Sequence, residues 1–431
     1  MPEDKIKKQN KKILIFDTNL ASPHAERLKE DGNDVRYFTF WAGSGFPCFT
    51  DFVPGKGLVD KSIYFFDDLD WADIVYFPDC GLGDLVDYLR DKGKKIVWGA
   101  GKGDELELQR WRSIEIMDEL GIAHPPSELV IGVDKLEEYL KKIKEPVYVK
   151  FDIFRGSQET FGFPKYISKY DKVLELKLSG LRIDFGPFYD EIPFVVQKAV
   201  GEIEPGFDLI FNGQKFLEPC AYGFEIKGAG CQIEKFVPTI NDLPEPIKET
   251  AVKLIPYLKE VNYRGAISNE GRIGKDTNGK LAVIDWCSRW FYPGSAFYTI
   301  KDLIGNYSEI IEKVAKGEDV KIDVKYPYTF AMTLETNEAL KNWVDISFDK
   351  EYRDRIRFRI ACKKDDIYWA VPGFESVATI VGVGDTPEEA VEDAFNVYEK
   401  SDISAYALSK PVDKEAILKI LEKAKEYKIN F

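Results

Sequence analysis

The sequence contains very little histidine and a minority of basic residues. Among 431 residues there are two histidines, His24 and His124, and 60 Lys and Arg stand against 74 Asp and Glu, for a formal net charge of -14. Two separated histidines exclude a histidine-rich zinc site and leave few candidates for a histidine-centred catalytic triad. An acidic chain without a basic tract does not favour binding to a phosphate backbone. Direct nucleic-acid binding is therefore not expected.

Long apolar runs, paired cysteine motifs and a GxGxxG turn are also missing. No run approaches the roughly 18 apolar residues of a membrane-spanning helix, so no membrane partner is expected. The six cysteines include no CxxC pair, which favours free thiols and a cytoplasmic location. The turn at residues 17–23 lacks the dinucleotide-binding glycines. An enzyme with this composition would rely on carboxylates, cations and bound cofactors.

The first hundred residues alternate between strand and helix patterns. Strands are predicted at residues 12–16, 35–40, 74–77 and 95–98, and helices at 24–31 and 82–92. This alternation is typical of an open parallel sheet covered by helices. The pattern changes near Leu106, and the charged, irregular segment 316–325 is predicted to be a linker. The sequence therefore predicts three domains with boundaries near these two places.

Residues 265–293 gather acidic side chains on one face of a predicted hairpin. Asn278-Gly279 favours a tight primed turn, which leaves two registers open. One register sets Glu270 directly opposite Asp285, and the other sets it opposite Cys287 and diagonal to Asp285. In both registers Asp285, Cys287 and Arg289 share the face of Glu270.

Two carboxylates on neighbouring strands repel each other unless a positive group joins them. Directly opposed Cβ atoms lie roughly 5 Å apart, within reach of one divalent cation with oxygen ligands such as Mg²⁺. Arg289, one step further along, would clamp a phosphate or a carboxylate. The alternative is a surface hairpin with solvated acids, which the apolar run 281–284 disfavours.

Two upstream strand ends are candidates for nucleotide binding. Lys150 ends the predicted strand 147–149 beside the loop 152–162. There it would bind nucleotide phosphates; alternatively, its aliphatic stem would pack at the strand end with its charge in solvent. The apolar strand 194–200 offers its backbone to an adenine edge, and an acid just beyond it would bind ribose hydroxyls. A plain strand end explains that segment equally well.

Several stretches stand in the order of one known superfamily. They are Gly81-Leu82-Gly83-Asp84-Leu85-Val86-Asp87, Leu106-Glu107-Leu108-Gln109-Arg110, Gly121-Ile122-Ala123-His124-Pro125, Asp285-Trp286-Cys287-Ser288-Arg289 and Ala378-Thr379-Ile380-Val381-Gly382-Val383-Gly384. Over almost the whole chain the sequence resembles the ATP-grasp superfamily, and within it the phosphoribosylamine–glycine ligase (glycinamide ribonucleotide synthetase) family.

The resemblance implies an α/β architecture with an α+β central part. An open parallel, Rossmann-like pre-ATP-grasp domain would occupy residues 1–105. An ATP-grasp domain would follow at 106–322, with a small lid subdomain at about 129–195. A small mixed α/β domain would occupy 323–431.

The resemblance also implies the roles of individual residues. ATP would be bound by Arg110, Lys150, Gln197, Lys198, Val200 and Glu204, with the phosphates on the first two and the ribose on the last. Glu270 and Asp285 would hold Mg²⁺ (or Mn²⁺). Arg289 and Lys227 would be catalytic and would contact substrate, and His24 would also contact substrate.

Two departures from the family pattern concern the metal and the substrate. The metal-binding asparagine of the family is replaced by Cys287, and a neutral thiol is a poor ligand for Mg²⁺. Glycine-rich sequence is missing from residues 17–23, where the family holds its phosphorylated sugar amine. The resemblance therefore predicts fold and reaction class rather than that particular amine.

The reaction that the resemblance implies is ATP-dependent amide formation. ATP would phosphorylate a carboxylate, and an amine would displace phosphate from the acyl phosphate. The substrates would be a small carboxylate (glycine or another amino acid) and a small amine, as in purine biosynthesis, in a monomer or homodimer. Two alternatives remain open: a non-catalytic ATP-binding relative, which Cys287 favours, and a phosphotransferase on the same scaffold.

Overall fold

The structure is a computed structural model that describes residues 10–18, 21–39, 54–93, 96–153, 160–164, 171–226, 230–411 and 413–431. Its first part is a five-stranded parallel sheet with the strand order β3-β2-β1-β4-β5. The elements are β1 (Lys12–Asp17), α1 (Ser22–Glu30), β2 (Asp34–Thr39), β3 (Asp60–Lys61), α2 (Phe65–Asp68), β4 (Ile74–Tyr76), α3 (Gly83–Asp91) and β5 (Ile96–Trp98). Ile13, Leu14 and Ile15 are buried, as expected for a parallel strand covered on both faces. The predicted open parallel sheet is confirmed.

Two consecutive helices lead from this sheet into the rest of the chain, α4 (Glu105–Leu108) and α5 (Arg110–Leu120). The second helix ends at Gly121, whose φ of 66° is left-handed and suits glycine. The backbone N–H of Arg110 donates to the carbonyl of Asp152 at 2.9 Å. The start of α5 is thereby fixed beside the next unit.

A four-stranded antiparallel sheet with its own buried core follows. Its elements are β6 (Ser127–Ile131), α6 (Val133–Leu140), β7 (Val147–Phe151), β8 (Thr160–Phe163), α7 (Asp171–Phe185) and β9 (Pro193–Lys198), and its strand order is β6-β9-β7-β8. Val133, Leu136 and Leu140 from α6 and Val149 from β7 are among its buried residues. This sheet occupies the range in which the lid was predicted, and its motion as a lid remains a proposal.

The largest sheet has eight strands and carries the predicted hairpin at one edge. Its order is β14-β13-β10-β11-β12-β15-β20-β17, and all its neighbours are antiparallel. The elements up to residue 322 are β10 (Pro205–Asn212), β11 (Cys220–Ile226), β12 (Cys231–Val237), α8 (Glu245–Glu260), β13 (Arg264–Arg272), β14 (Ala282–Cys287), α9 (Ala296–Thr299) and α10 (Tyr307–Lys316).

The last part of the chain completes this sheet and adds a small one. Its elements are β15 (Tyr328–Glu335), β16 (Val344–Ser347), β17 (Ile356–Arg357), β18 (Ala361–Lys364), β19 (Ile367–Ala370), β20 (Ser376–Gly384), α11 (Pro387–Lys400), β21 (Ser404–Ala405) and α12 (Lys414–Lys425). The small sheet has the order β18-β19-β16-β21. Because β15, β17 and β20 belong to the large sheet, that sheet contains strands from both sides of residue 322. The domain boundary at this residue stays a prediction.

The mixed α/β fold class is confirmed. At the start of α11, the Thr386 hydroxyl accepts a hydrogen bond from the Glu389 N–H at 3.1 Å, as a threonine cap should. Among the helices of the described residues, none has both the length and the apolar character needed to cross a bilayer.

Candidate functional site

The hairpin of β13 and β14 sets Glu270 directly opposite Asp285. Ser268 pairs with Cys287 and Asn269 with Trp286 in the same register. Of the two predicted registers, the one with directly opposed acids is confirmed. The two acids therefore lie side by side on the hairpin.

The turn of the hairpin differs from the predicted tight connection. Asn278 and Gly279 both have positive φ, 54° and 72°, and the Lys280 N–H donates to the Thr277 carbonyl at 3.1 Å, as in a primed turn. Strand pairing nevertheless ends at Arg272 and Ala282, with a register shift after Glu270. The loop between the paired ends is therefore longer than the predicted two-residue turn, and it accommodates the register shift of the bulge.

Two cations converge on the carboxylate of Asp285. Lys150, at 4% exposure, places its Nζ 2.7 Å from Asp285 Oδ2 and donates to the Ile284 carbonyl at 2.7 Å. Arg110 Nε lies 3.4 Å from Asp285 Oδ1, and its Nη1 donates to the Phe151 carbonyl at 2.7 Å. The two residues predicted to meet ATP phosphates therefore share one acidic partner, and they are supplied by the lid strand and by α5.

A cavity of about 290 Å³ opens beside this cluster, between the lid and the hairpin. It is lined by Tyr148, Lys150, Thr160, Gln197, Lys198, Ala199, Val200, Gly201, Arg272, Asp276, Ile284 and Asp285. Its volume is at the lower end for a ligand cavity, and its wall combines cations, a strand end and apolar side chains. This composition fits a nucleotide with its phosphates toward Lys150.

The end of β9, which was predicted to offer its backbone to an adenine and is called the hinge below, borders this cavity. Gln197 donates from Nε2 to Ser127 Oγ at 3.3 Å, and the Lys198 ammonium pairs with Glu145 Oε2 at 2.5 Å. Because these side chains have partners within the lid, the hinge would contact an adenine through its backbone around Val200. Within the described residues, the Val200 N–H makes no hydrogen bond.

Three glutamates on neighbouring strands form a carboxylate cluster. One oxygen each from Glu204, Glu225 and Glu270 lie within 4.8 Å of one another. Hard oxygen donors at this spacing fit Mg²⁺ or Mn²⁺ by their chemistry. The predicted metal pair was Glu270 with Asp285. In the structure Glu270 groups with Glu204 and Glu225, whereas Asp285 is bound by Lys150 and Arg110.

Glu204, which was predicted to bind ribose, lies between Arg272 and the acids of the cluster. Its Oε2 lies 2.5 Å from the guanidinium of Arg272, and its other neighbours are the acids of the cluster. Arg272 also lines the nucleotide-sized cavity. Glu204 therefore connects the two regions, and its contact with ribose remains a proposal.

The floor beside the cluster is made of glycine. Gly206 of β10 pairs with Gly223 of β11. A Cβ on Gly206 would lie 2.1 Å from the Asn269 carbonyl oxygen, and one on Gly223 would lie 2.0 Å from the Ile233 carbonyl oxygen. Any side chain here would clash, so the strands keep a shallow, open surface between the acids.

A second cavity, of about 140 Å³, stands on this floor. It is lined by Glu204, Gly206, Asp208, Gly223, Glu225, Gln232, Ser268, Asn269, Glu270, Cys287, Arg289, Phe291, Tyr292 and Arg359. Its wall carries four acids and two arginines among uncharged residues. Such a cavity suits a metal ion and a small charged substrate.

Arg289 joins the hairpin to the first sheet at the edge of this second cavity. Its Nε lies 2.9 Å from Glu107 Oε1 and 3.4 Å from Asp79 Oδ1, and Glu107 Oε2 accepts from the Ser288 N–H at 2.8 Å. The sequence did not indicate Asp79 or Glu107 as part of the site. Burial raises the pKa of Asp79 to about 7, although Arg289 opposes that shift.

Cys287 borders the second cavity as an uncharged thiol. Burial raises the pKa of the thiol well above its usual range, and the nearby charge of Glu107 raises it further. A neutral thiol binds Mg²⁺ poorly. The carboxylates of the cluster are therefore better suited to a metal than Cys287.

His24, one of the two remaining predicted residues, lies away from both cavities. His24 is 1% exposed, and its ring stacks on Trp290. Its Nδ1 shares a hydrogen bond of 2.5 Å with the Tyr307 hydroxyl. Burial lowers the pKa of His24 to about 3, so the ring is neutral. His24 lines neither cavity, and a substrate contact is not supported by its position. Lys227 lies outside the described residues.

Asp208, Gln232 and Glu234 form a buried network under the second cavity. Gln232 Nε2 donates to Asp208 Oδ2 at 2.8 Å and to Glu234 Oε1 at 2.7 Å. Burial raises the pKa of both acids, and the neighbouring Asp208 raises the pKa of Glu234 further. The folded protein therefore retains protons here that the unfolded chain releases.

This retention predicts a pH dependence of stability. A raised pKa in the folded state stabilises the fold at low pH, and the contribution is lost as the pH rises through that pKa. Replacing Asp208→Asn keeps the side chain neutral at every pH. Between about pH 5 and about pH 8, we therefore expect the free energy of unfolding of the variant to decrease by roughly 1–3 kcal/mol less than that of the unmodified protein. Denaturant unfolding across this range measures the effect. Asp345→Asn, at an exposed position, is the control, and identical profiles for Asp208→Asn and the unmodified protein would contradict the assignment.

No family model matches this sequence, and no curated protein does either. The fold, however, is similar to that of several solved structures. Phosphoribosylamine–glycine ligase from Thermotoga maritima superposes with a TM-score of 0.66 at 16% identity, over 92% of this chain and 98% of that one.

Two carboxylases are similar to the same degree. Biotin carboxylase from Campylobacter jejuni, solved as a β,γ-ATP complex, gives a TM-score of 0.64 at 14% identity, covering 92% of this chain and 93% of that one. The biotin carboxylase domain of Hydrogenobacter thermophilus 2-oxoglutarate carboxylase, solved with MgADP, ADP and bicarbonate, gives 0.64 and 14%, covering 92% and 91%.

The chain thus has the ATP-grasp fold. Within that fold it resembles phosphoribosylamine–glycine ligase, as its sequence motifs predicted. At these identities the similarity establishes the fold, and the reaction is a separate inference.

Sequence reasoning missed four residues that border the second cavity or hold it in place: Asp79, Glu107, Glu225 and Arg359. Glu225 comes from β11, a strand that the sequence did not predict because residues 220–226 are almost wholly apolar. Alternation on that strand, with Gly223 and Glu225 on one face, is the signal that would have found it.

Proposed function

We propose that this chain is an ATP-dependent carboxylate–amine ligase that uses Mg²⁺ (or Mn²⁺). It would form an amide through an acyl phosphate and release ADP and phosphate. The observation that supports this most is the convergence of Lys150 and Arg110 on Asp285, at the wall of a cavity of nucleotide-like composition. The carboxylate cluster of Glu204, Glu225 and Glu270 lies on the adjoining strands.

The residues of this chain would contribute positioning and charge. Lys150 and Arg110 would exchange part of their contact with Asp285 for phosphate oxygens, since both already point into one cluster. The hinge backbone at Val200 would meet the adenine. A bound divalent cation, held by Glu270 and its neighbours, would neutralise phosphate charge. Arg289 would border the reacting carboxylate, and the lid would exclude water from it.

The proposed reaction consists of two bond changes, with the reactants in the two cavities. A carboxylate oxygen in the second cavity would attack the γ-phosphorus of ATP, and the bond from that phosphorus to the bridging oxygen would break to release ADP. An amine nitrogen would then attack the acyl carbon, and phosphate would leave. Holding the reactants in adjoining cavities supplies most of the acceleration that such a reaction needs.

An ADP-release screen tests this proposal directly. Purified protein with ATP and Mg²⁺ is given single amino acids, other small carboxylates and amine acceptors, beginning with glycine and phosphoribosylamine. The proposal predicts ADP formation that requires both an acid and an amine. ADP formation that needs no amine would favour a phosphotransferase.

A non-catalytic ATP-binding relative is the second candidate, and Cys287 supports it. Its neutral thiol stands where the family has a metal-binding asparagine, so one ligand position is weakened. This candidate predicts nucleotide binding without ADP release from any acid and amine pair.

The carboxylate cluster predicts a metal affinity that depends on Glu270. Replacing Glu270→Gln removes one charged oxygen from the group, so we expect the dissociation constant for Mn²⁺ in the presence of ADP to rise at least about tenfold. Titration calorimetry or the Mn²⁺ spin-resonance signal measures it. Glu249→Gln is the control because that exposed carboxylate pairs with Lys253 on α8. Equal Mn²⁺ affinity in Glu270→Gln and the control would refute the metal assignment.

A further inference from the structure

Arg359 borders the second cavity although none of the recognised motifs contains it. It lies between β17 and β18, in the last part of the chain, and lines the cavity together with Arg289 and the acids of the cluster. Four acids share this wall, yet none of them forms an ion pair with Arg359 within the described residues.

Aromatic rings hold the Arg359 guanidinium in place. Its central carbon lies 4.0 Å from the ring centre of Tyr292 and 4.9 Å from that of Phe374. Tyr292 is itself fixed, because its hydroxyl hydrogen-bonds with Ser376. Contacts with ring faces orient the plane of a guanidinium while leaving its N–H groups available.

Arg359 differs from its neighbours because no acid of the described residues forms an ion pair with it. Arg353 pairs with Glu26, Arg355 with Asp393, and Arg357 with Glu30 at 3.1 Å. Within the described residues the Arg359 guanidinium makes no ion pair and no hydrogen bond, and its Nε is completely buried.

Within the described residues the charge of Arg359 is therefore offset only through space, by Asp79 and Asp17, and by no ion pair. Burial lowers the pKa of the guanidinium, and the positive charge of Arg289 lowers it further. An arginine nevertheless stays protonated, so an unpaired one at a cavity wall is costly to the fold. A cost of this kind is expected where a ligand supplies the missing anion.

Arg289 is less suited to that task, although the family motif indicates it. Its Nε is already engaged by Glu107 at 2.9 Å and lies 3.4 Å from Asp79. Those two carboxylates offset its charge and tie it to the first sheet. Of the two arginines of the cavity, Arg289 is thus paired with carboxylates, whereas Arg359 forms no ion pair within the described residues.

We propose that Arg359 receives the oxyanion, a carboxylate or a phosphate, of the molecule that occupies the second cavity. Arg289 is then a positioning residue that joins the hairpin to the first sheet. The inference rests on the proposed function for the identity of this cavity as the substrate cavity. Arg359 determines specificity for an anionic substrate, and the planar fork of its guanidinium matches a carboxylate or phosphate face.

Thermal unfolding of the full chain tests the proposal without requiring turnover. Sodium phosphate and sodium malonate, each at about 20 mM, are compared with sodium chloride at the same ionic strength. Binding to the folded state should raise the Tm of the unmodified protein by about 2 °C with at least one of the two anions. In Arg359→Met this increment should fall to less than a quarter.

The unliganded stability of the same variant separates a binding role from a structural one. Methionine keeps the apolar stem and removes the buried charge, so Arg359→Met should unfold without anion at an unchanged or higher temperature. Arg353→Met is the matched control, because Arg353 also lies over two rings, Phe358 and Tyr368, but pairs with Glu26. That variant should lose several degrees of Tm and keep the anion increment.

Each outcome of this comparison decides the proposal. A phosphate-only increment that depends on Arg359 assigns a phosphorylated substrate, and a malonate-only increment assigns a carboxylate. A full increment in Arg359→Met overturns the proposal, as does an unmodified protein that responds to neither anion. Loss of the increment in Arg359→Met without ADP release from any acid and amine pair would refute the ligase function and leave the oxyanion site standing.

Discussion

The Lys150→Met variant is expected to lose at least about 10³-fold in ATP turnover while remaining folded. Lys150 is buried at the end of β7, and its Nζ lies 2.7 Å from both Asp285 Oδ2 and the Ile284 carbonyl oxygen. No other lysine lines the part of the cavity next to Asp285 in the described residues except Lys198, whose ammonium pairs with Glu145. Methionine keeps the stem and removes the charge that would neutralise phosphate.

The control for this variant is Lys141→Met on the lid helix α6. Lys141 is about half exposed and pairs with Glu137 at 2.6 Å, so its loss should change turnover less than about twofold. Steady-state ADP formation with the best substrate pair gives both values, and circular dichroism verifies the fold. Turnover of Lys150→Met within threefold of the control would remove Lys150 from the site.

Asp285→Asn is expected to lower ATP turnover by about 10²- to 10³-fold with little change in the fold. The amide keeps the size of the side chain but cannot attract both Lys150 and Arg110, which approach it from different elements. Without that shared partner, the two cations should no longer be held side by side for phosphate oxygens.

A double-variant cycle distinguishes this role from an independent contribution. If Asp285 acts by positioning Lys150, the losses in Lys150→Met with Asp285→Asn should be far from additive, and the double variant should be little worse than Lys150→Met alone. Asp184→Asn, an exposed position on α7, is the control. Additive losses would mean that Asp285 serves the reaction separately, for example as the metal ligand that its motif predicted.

The predictable parts of the fold are those whose signals are local. The alternation of the first hundred residues, the helix stop at Gly121 and the threonine cap of α11 depend on neighbours in sequence, and the structure has all three. The strands β10, β11 and β12 were missed because they are buried in the middle of a sheet, where polar and apolar residues need not alternate. The joining of β15, β20 and β17 to that sheet depends on pairing across more than ninety residues, which a local pattern does not contain.

The predictable part of the site is the hairpin. Alternation on β13 and β14 placed Glu270 opposite Asp285, and the structure has that register. The partners of these acids were not predictable, because Glu225 and Arg359 approach from distant strands and Lys150 reaches across from the lid. Metal binding by Glu270 and Asp285 stays a prediction; in the structure Glu270 lies in a carboxylate cluster and Asp285 pairs with Lys150.

The transfer of oxygen from the carboxylate to phosphate tests the central claim most directly. The acid that gives the most ADP is prepared with ¹⁸O in its carboxylate and supplied with ATP, Mg²⁺ and the amine, and the released phosphate is analysed by mass spectrometry. An acyl-phosphate ligase places one ¹⁸O atom in each phosphate, because the bond that breaks in the second step joins the acyl carbon to that oxygen. Phosphate without ¹⁸O, at an equal amount of ADP, would contradict carboxylate activation at this site.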